Sequence, residues 1–514
     1  MVSRVWSSSV QGITALPIEV EAHVSPGMPK YTVVGLPDGA VRESRQRIYS
    51  ALVTNSLPVP RGIVNVNLAP ANVRKEGTMF DLPMAVALFC ATTGSLSNEQ
   101  LQRFCIVGEL ALDGRVRPVR GLLSIALQVR KSGGKTLIVP AANEPEVCIV
   151  NNVTTYLVAS LGEALDVLHD RQGSPKPVRS RSFPRQPESP RKTYDFADVR
   201  GQTSVKRALE VAAAGAHNVL MVGPPGSGKT MLARRLPSIL PPITTAESLE
   251  TTQIHSVHGI RKQTVPVIHR PFRAPHHTIS DVGLCGGGSR LRPGEISLAH
   301  NGVLFLDEMP EFKRSVLEVL RQPLEEGRIT ISRANGSTTY PARFMLVAGM
   351  NPCPCGHRSN RNHPCSCSSD QVQRYMSRIS GPLLDRIDIH IELQPVTFAA
   401  MTSKIPSEQS AEIRKRVSGC RRQQQIRFAE RQGVYANAQM DTDLIRQHCG
   451  LKNDSQKLLK HAVNKLGFSA RAYDKVLKLS RTIADLESSD RITSAHVAEA
   501  IQYRSLDRAA ITFV

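Results

Sequence analysis

The chain contains 514 residues, ten cysteines and a formal net charge of +21. This length exceeds what one hydrophobic core supports, so we predict several domains. The cysteines are too few for a secreted disulfide scaffold, no apolar run could span a bilayer, and the N-terminus lacks the apolar stretch of a signal peptide, so we expect a cytoplasmic protein with no membrane partner. The positive charge indicates either an anionic polymer as partner or a basic surface that aids solubility.

The first part of the chain alternates short apolar strands, such as 62–68, with helical segments, such as 41–52. The following stretch, 171–193, is rich in Pro, Ser and Arg and has almost no apolar residues. Such a composition is typical of a solvated linker. The sequence therefore predicts an α+β N-terminal domain at 1–170 and a basic linker at 171–193.

A predicted strand, 218–222, leads into a run with the pattern G-x-x-x-x-G-K-[ST], and a helix follows from Met231. This run, a P-loop, consists of Gly223, Pro224, Pro225, Gly226, Ser227, Gly228, Lys229 and Thr230. In this pattern, glycines let backbone N–H groups approach phosphates, the lysine reaches the β and γ phosphates, and the hydroxyl ligates Mg²⁺. The run therefore predicts that the chain binds a nucleoside triphosphate, ATP, with Mg²⁺.

Two further apolar strands end in polar residues. Residues 302–306 precede Asp307 and Glu308, and residues 344–350 precede Asn351. Adjacent carboxylates at a strand end point in different directions, so we predict that Asp307 binds Mg²⁺ while Glu308 polarises the attacking water. Asn351 is placed to hold that water near the γ phosphate.

The segment 254–290 lies between the P-loop helix and the Asp307 strand. It carries basic residues and a histidine pair, namely Arg261, Lys262, Arg270, Arg273, His276 and His277. Adjacent histidines on an extended chain point to opposite faces, so we assign this pair to packing or hydrogen bonding rather than to a metal.

Residues 328–341 alternate on both sides of Asn335-Gly336, which is a dipeptide typical of tight β-hairpins. Arg333 lies next to the predicted turn. The hairpin has two interpretations. Its tip contacts a phosphate backbone through Arg333, or it only packs beside the sheet.

Four of the ten cysteines follow the Asn351 strand within 353–367. They form two C-x-C pairs, Cys353, Cys355, Cys365 and Cys367. Two close thiol pairs can surround Zn²⁺ tetrahedrally, although the spacing within each pair is shorter than usual. We predict a structural zinc, since four thiolates leave no open position for catalysis. His357 and His363 are alternative ligands, and a reduced loop without metal is the competing interpretation.

A strand ending near Pro395 separates a predicted ATPase domain, 194–395, from a mostly helical region, 396–514. Before that boundary, Arg386 lies between two aspartates, and in the helical region Arg471 opens an amphipathic helix. On spacing alone, both arginines would be assigned to surface ion pairs.

Several runs together resemble the magnesium-chelatase-like AAA+ ATPases of the YifB/ComM family. These runs cover 272–280, 286–288, 293–302 and 377–386, and the resemblance extends over essentially the whole chain. It implies an α/β P-loop AAA+ core with a C-terminal helical lid, assembled into a ring that is expected to be a hexamer. Arg386 would then be an arginine finger on the neighbour's nucleotide, Arg471 the sensor-2 arginine and Asn351 the sensor-1 residue.

The N-terminal domain resembles the Lon-protease type, a fold like ribosomal S5 domain 2. At the position of the family's nucleophilic serine our alignment places Met79, and at that of its catalytic lysine it places Leu123. Neither side chain can attack an amide or activate a hydroxyl, so we predict a non-proteolytic domain used for assembly or substrate contact. Only a shifted alignment through Thr78 or Ser124 would restore a nucleophile.

The resemblance implies two classes of function. The first is a DNA helicase or branch-migration motor acting on recombination intermediates in natural transformation, with the hairpin in the pore and Arg333 on single-stranded or branched DNA. The second is a protein-remodelling ATPase like the magnesium-chelatase subunit. The positive charge favours DNA.

Overall fold

The computed structural model describes residues 2–133, 136–178, 194–259, 266–288, 291–333, 336–358, 364–395, 407–431 and 433–504. The chain divides into two compact units, Met1–Arg185 with Thr245–Ile268 and Gln186–Thr244 with His269–Val514. Residues 245–268, which fall inside the predicted ATPase domain, thus belong to the first unit. Within the described ranges, no helix has both the length and the apolar content of a membrane span.

The first unit contains one large sheet and a short ribbon. The strands are β1 (Val2–Gln11), β2 (Thr14–Ser25), β3 (Lys30–Val34), β4 (Ile63–Ala69), β5 (Phe104–Ile106), β6 (Glu109–Leu110), β7 (Val116–Arg117), β8 (Thr136–Pro140) and β9 (Thr155–Val158). The sheet has the order β3-β4-β2-β1-β5-β8-β9, and β6 pairs with β7. Buried Ile18, Val20 and Ala22 alternate along β2 with Glu19 and Glu21, so the period of two defines one core face.

The helices of the first unit contribute to two separate apolar clusters, and only one of these clusters contains Ile18, Val20 and Ala22. The helices are Gly39–Arg42, Ser44–Thr54, Asp81–Thr93, Asn98–Leu101, Leu122–Lys131, Glu144–Val147, Leu161–Leu168 and Thr245–His258. The predicted helix 41–52 is therefore broken at Glu43. The helix Asp81–Thr93 is buried through Ala91, and it ends at Gly94, whose φ of 66° is the left-handed conformation that glycine adopts easily.

The helix Thr245–His258 is bound to the first unit by packing and hydrogen bonds. Leu249 packs against an apolar cluster that includes Leu122 and Leu123. The hydroxyl of Ser256 donates to the carboxylate of Glu146. A stretch that follows the P-loop in sequence therefore completes the N-terminal unit.

The second unit contains a five-stranded parallel sheet. The strands of this unit are β10 (Val219–Val222), β11 (Phe272–Arg273), β12 (Gly286–Gly287), β13 (Arg292–Pro293), β14 (Val303–Leu306), β15 (Arg328–Arg333), β16 (Gly336–Pro341), β17 (Met345–Met350) and β18 (Ile389–Glu392). Strands β12 and β13 pair with each other, as do β15 and β16, and the other five form the sheet. The sheet has the order β11-β14-β17-β10-β18. Strands β10, β14 and β17 are buried throughout, as expected for a parallel sheet covered on both faces.

Helices surround this sheet and form the C-terminal part of the unit. They are Thr203–Gly215, Lys229–Arg235, Asp281–Cys285, Glu295–Leu298, Arg314–Glu318, Arg321–Glu326, Ser369–Met376, Gly381–Leu384, Ser410–Arg427, Thr442–His448, Asn453–Leu466, Ala470–Leu486 and Ser494–Gln502. One apolar core extends from Thr203–Gly215 to the helices after residue 407. The strand order makes β14, β17 and β10 neighbours, so the residues at their carboxyl ends meet at one edge of the sheet.

Candidate functional site: a nucleotide site at the edge of the parallel sheet

The P-loop connects β10 to the helix Lys229–Arg235. Gly226 and Gly228 have φ angles of 76° and 90°, which side chains with a Cβ rarely adopt. A Cβ at Gly223 would lie 2.8 Å from the Cβ of Leu393. The N–H of Gly223 donates to the carbonyl of Met350 at 3.1 Å, which fixes the loop to the end of β17. The glycines are thus required by the backbone path and by close packing.

Lys229 and Asn351 are in direct contact. The Nζ atom of Lys229 donates to Asn351 Oδ1 at 3.1 Å and to the carbonyls of Gly223 and Pro224 at 2.6 and 3.0 Å. Burial lowers the pKa of Lys229, although Asp307 and Glu308 oppose the shift. The lysine is therefore held inside the loop that the motif predicts to cradle phosphates.

Thr230 and Asp307 provide adjacent oxygen atoms. Thr230 Oγ1 donates to Asp307 Oδ2 at 2.6 Å. A Cβ at Gly349, on the neighbouring strand, would lie 3.2 Å from Asp307 Oδ1, so a larger residue would crowd the carboxylate. Hydroxyl and carboxylate oxygens suit Mg²⁺, and the pair fits the predicted metal ligands.

Glu308 follows Asp307 in a different orientation. Its backbone has a φ of 51°, its N–H donates to Asp307 Oδ1 at 3.1 Å, and its side chain is 57% exposed. His277 Nδ1 lies 4.0 Å from Glu308 Oε2. The two carboxylates therefore separate as predicted, one turned toward Thr230 and the other toward solvent.

The prediction that His276 and His277 point to opposite faces is wrong. Their ring centroids are 4.1 Å apart with planes at 34°. The N–H of Ile279 donates to the carbonyl of His276 at 3.0 Å, so the chain turns here and the alternation of an extended strand does not apply.

The two arginines of the predicted ring mechanism have different surroundings. Arg386 forms an ion pair with Glu325 of the helix Arg321–Glu326, and its side chain is 10% exposed. Arg471 is exposed in the first turn of the helix Ala470–Leu486. Within one chain, the guanidinium of Arg386 thus contacts Glu325 and the carbonyl of Pro382, and no P-loop residue is among its described partners.

The four predicted zinc cysteines converge. Their sulfur atoms all lie within 4.8 Å of one another. Cys353 Sγ is 3.4 Å from Cys355 Sγ and 3.6 Å from Cys365 Sγ, close to the distance of about 3.8 Å expected between thiolates around one Zn²⁺. Backbone N–H groups of His357 and Ser366 lower the pKa of Cys355 to about 5, which favours its thiolate. His357 is not part of this group, and His363 lies outside the described residues.

The cysteine loop packs directly on the P-loop. Gly356 has a φ of 80°, and its N–H donates to the carbonyl of Cys353 at 3.0 Å. A Cβ at Gly356 would lie 2.5 Å from Cδ of Pro225, so only glycine fits. The contact between Gly356 and Pro225 joins the predicted metal loop to the nucleotide site. No sequence pattern indicates this contact.

The predicted hairpin is confirmed. Strands β15 and β16 pair from Arg328 opposite Pro341 to Arg333 opposite Gly336, and residues 334–335 at the turn lie outside the described residues. Arg333 is exposed at the last described pair.

The neighbouring basic residues have structural partners. Arg273 forms an ion pair with Glu295 at 2.5 Å. Arg270 donates to the main-chain carbonyls of Pro241, Pro242 and Asn301. Arg261 and Lys262 lie outside the described residues.

Gln202 is a further residue that the sequence did not indicate. It has a φ of 52° before the helix Thr203–Gly215, and its Nε2 donates to the carbonyl of Ser227 at 2.8 Å. The contact joins two parts of the chain, and no local pattern signals it.

A parallel sheet in this order, with a P-loop after β10, two carboxylates after β14 and an asparagine after β17, defines an ATPase of the AAA+ class. The family described as magnesium chelatase, subunit ChlI matches residues 195–401, its C-terminal part matches 407–504, and the subunit ChlI of Mg-chelatase matches 20–143.

Comparison with individual relatives identifies the family within this class. The chain is 42% identical over 512 residues to the YifB protein of Escherichia coli, covering 99% of this chain and 98% of the relative. It is 42% identical over 505 residues to the competence protein ComM of Haemophilus influenzae, covering 98% and 97%. The magnesium-chelatase 38 kDa subunit of Cereibacter sphaeroides is 27% identical over 180 residues, covering 32% of this chain and 54% of the relative. The chain belongs to the YifB/ComM family of magnesium-chelatase-like AAA+ ATPases.

Proposed function

We propose that this protein is an ATP-driven ring motor that acts on DNA, unwinding or branch-migrating recombination intermediates. The observation that carries the proposal is the β15–β16 hairpin, which presents Arg333 at its exposed end in a chain with a net charge of +21. The name of the ComM relative, a competence protein, supports a role in natural transformation.

Hydrolysis follows from the residues at the sheet edge. Lys229 would neutralise the β and γ phosphates of ATP, Thr230 and Asp307 would hold its Mg²⁺, and Asn351 and Glu308 would hold and polarise the attacking water. The Lys229–Asn351 hydrogen bond and the Thr230–Asp307 hydrogen bond support these assignments, because they bring together residues to which the proposal gives roles at one nucleotide.

The proposed working form is a hexameric ring. In it, Arg386 reaches the nucleotide of the neighbouring subunit, and Arg471 contacts the nucleotide of its own subunit. Because Arg386 pairs with Glu325 within one chain, its trans role requires an exchange of partners when subunits meet. The finger would then act only in an assembled ring, which couples hydrolysis to the neighbour's position.

DNA contact is assigned to the hairpin. One face of it is buried through Ile329, Ile331 and Tyr340, so the strands have a fixed base. The opposite face is polar, with a hydrogen bond between the hydroxyls of Ser332 and Ser337. Arg333 follows Ile329 and Ile331 in the strand alternation, so it lies on the other side of the hairpin from these hydroxyls. An exposed arginine suits phosphate contacts without base readout, which gives a grip that is independent of sequence and sensitive to salt.

Arg333→Ala tests the DNA function. We expect basal ATPase activity to remain while stimulation by forked DNA and strand displacement are lost, because the grip and not the nucleotide site has changed. ATP turnover with and without DNA, unwinding of a fork and thermal melting are measured together.

Arg328→Ala is the matched control, because Arg328 lies in the same strand but pairs with Glu326 at 3.1 Å near the base of the hairpin. It should keep DNA stimulation. Full unwinding by a stable Arg333→Ala protein would remove the hairpin from the DNA interface.

We also propose a structural zinc on Cys353, Cys355, Cys365 and Cys367. Replacing Cys353 and Cys355 together by Ser should release the metal and lower the melting temperature, since a structural metal contributes folding free energy. Metal content and thermal melting check this, with the buried Cys148→Ser as control outside the loop. Absence of zinc from purified wild-type protein would contradict the assignment.

A second candidate is a protein-remodelling subunit like that of magnesium chelatase, which the family matches along the chain favour. Such a subunit should be indifferent to DNA. ATP turnover with single-stranded, duplex and branched DNA at low and high salt separates the two, because contacts to phosphates weaken as salt rises.

The N-terminal unit is proposed to serve assembly or substrate contact without proteolysis. Leu123 is fully buried in an apolar cluster, and the partly buried Met79 packs against the same cluster. Thr78 donates to the carboxylate of Glu109, and Ser124 is 2% exposed. An apolar environment at the aligned dyad positions supports the absence of a nucleophile there.

A further inference from the structure

A buried polar cluster lies at the amino ends of the central strands, away from the P-loop edge. At its centre is Asp388, which is 7% exposed and precedes β18. Asp388 Oδ1 lies 2.9 Å from Nζ of Lys475, whose side chain is 13% exposed. Asp388 Oδ2 accepts the N–H of Asn218 at 2.9 Å and lies 3.6 Å from Nδ1 of His217.

The cluster contains a buried ion pair, and the nearby guanidinium of Arg504 donates to the carbonyls of Ile387 and Asp388. Burial alone would raise the pKa of Asp388, but Lys475, His217 and the Asn218 amide together hold it well below its ordinary value, so Asp388 is a carboxylate. Burial lowers the pKa of His217, which is therefore neutral, and its Nε2 lies 2.8 Å from Thr482 Oγ1. Lys475 is the cation next to the carboxylate. Burial lowers the pKa of Lys475, and Asp388 opposes that shift.

Each partner is attached to a different part of the proposed catalytic machinery. Lys475 lies four residues after Arg471 in the helix Ala470–Leu486, and residues at this spacing share one helix face. Asp388 lies two residues after Arg386. Thr482, in the same helix, contacts His217, so the helix is joined to the cluster at two positions, Lys475 and Thr482.

Asn218 connects this cluster to the nucleotide site. Its Nδ2 donates to the carbonyl of Arg386 at 3.1 Å, and its Oδ1 accepts the N–H of Leu346 at 2.9 Å. Leu346 belongs to β17, which ends before Asn351. Asn218 itself precedes β10, which ends at the P-loop.

We propose that Asp388 and Lys475 are positioning residues for ATP hydrolysis, whose ion pair fixes the helix carrying Arg471 to the segment carrying Arg386. The inference rests on the proposed roles of these two arginines. A buried ion pair commonly adds little stability over a well-packed apolar pair, so we assign this one to geometry, namely the rotation and register of the helix relative to β18.

The test combines Lys475→Met, Asp388→Asn and the double variant. Each single variant leaves a buried partner uncompensated, so both melting temperature and turnover should fall. The double variant should recover most of the melting temperature and bind ATP within about twofold of wild type, while kcat stays about 10- to 100-fold lower, because the arginines are misplaced. A purely structural role predicts recovery of kcat together with stability.

Lys478→Met is the matched control. Lys478 lies in the same helix and is also partly buried, but its Nζ donates to the carbonyl of Ala438 at 3.1 Å. It should keep wild-type kcat even if its melting temperature falls.

A double variant with wild-type kcat would overturn the positioning role. If the double variant does not fold, Lys475→Gln is measured in its place. ATP affinity should again stay close to wild type while kcat falls, and an unchanged kcat would overturn the role. If wild-type protein does not hydrolyse ATP, the proposed function itself fails, and the two failures are distinct.

Discussion

Arg386→Ala is expected to reduce ATP turnover by about 10³- to 10⁵-fold, the range typical of arginine fingers, while each subunit still binds nucleotide. The guanidinium would stabilise charge that develops on the transferred phosphoryl group, and no other residue of the proposed site supplies that charge from the neighbouring subunit. ATP binding and steady-state turnover are measured on the same preparation.

Glu325→Ala is the informative control, because it removes the ion-pair partner of Arg386 and leaves the arginine in place. If Arg386 serves only to hold the helix Arg321–Glu326, both variants should have the same effect. If it acts in trans, Glu325→Ala keeps turnover. Mixing Arg386→Ala subunits with Lys229→Ala subunits should then restore part of the activity, and no rescue would count against the finger.

Glu308→Gln is expected to lower turnover by about 10²- to 10⁴-fold, the range for loss of a general base. ATP affinity should change little, because Lys229 and the Thr230–Asp307 pair do not depend on the Glu308 side chain. Equilibrium binding of ATP and single-turnover hydrolysis check the two parts separately.

Glu311→Gln is the matched control for Glu308. Glu311 lies three residues further along the chain and pairs with Arg378 at 2.9 Å. This variant should hydrolyse ATP at nearly the wild-type rate. Hydrolysis by Glu308→Gln at the wild-type rate would assign activation of the water to another group.

The nucleotide site could be predicted because its determinants are local. The P-loop needs glycines at fixed offsets, and Asp307 and Asn351 each directly follow a buried strand. Neighbouring parallel strands then bring the three together without further information. The hairpin was predictable for the same reason, since Asn335-Gly336 lies between two alternating runs.

Long-range contacts could not be predicted in this way. Neither the ion pair of Arg386 with Glu325 nor the hydrogen bond from Gln202 to Ser227 has a sequence signature, because each partner is an ordinary polar residue. The close approach of the His276 and His277 rings depends on a turn that an extended chain does not make. The sequence does not distinguish Gly356 from other loop glycines, because the need for glycine comes from its contact with Pro225.

The first unit is built from two separate stretches of the chain, and this affects the order in which it can fold during synthesis. Chains emerge from the ribosome N-terminus first, and domains generally fold as units in that order. Here the first 185 residues leave the ribosome without the helix Thr245–His258, whose Leu249 and Ser256 contribute to that unit. We infer that the first unit is completed only after the P-loop has been translated. Until then, the nascent chain exposes the surface against which this helix packs.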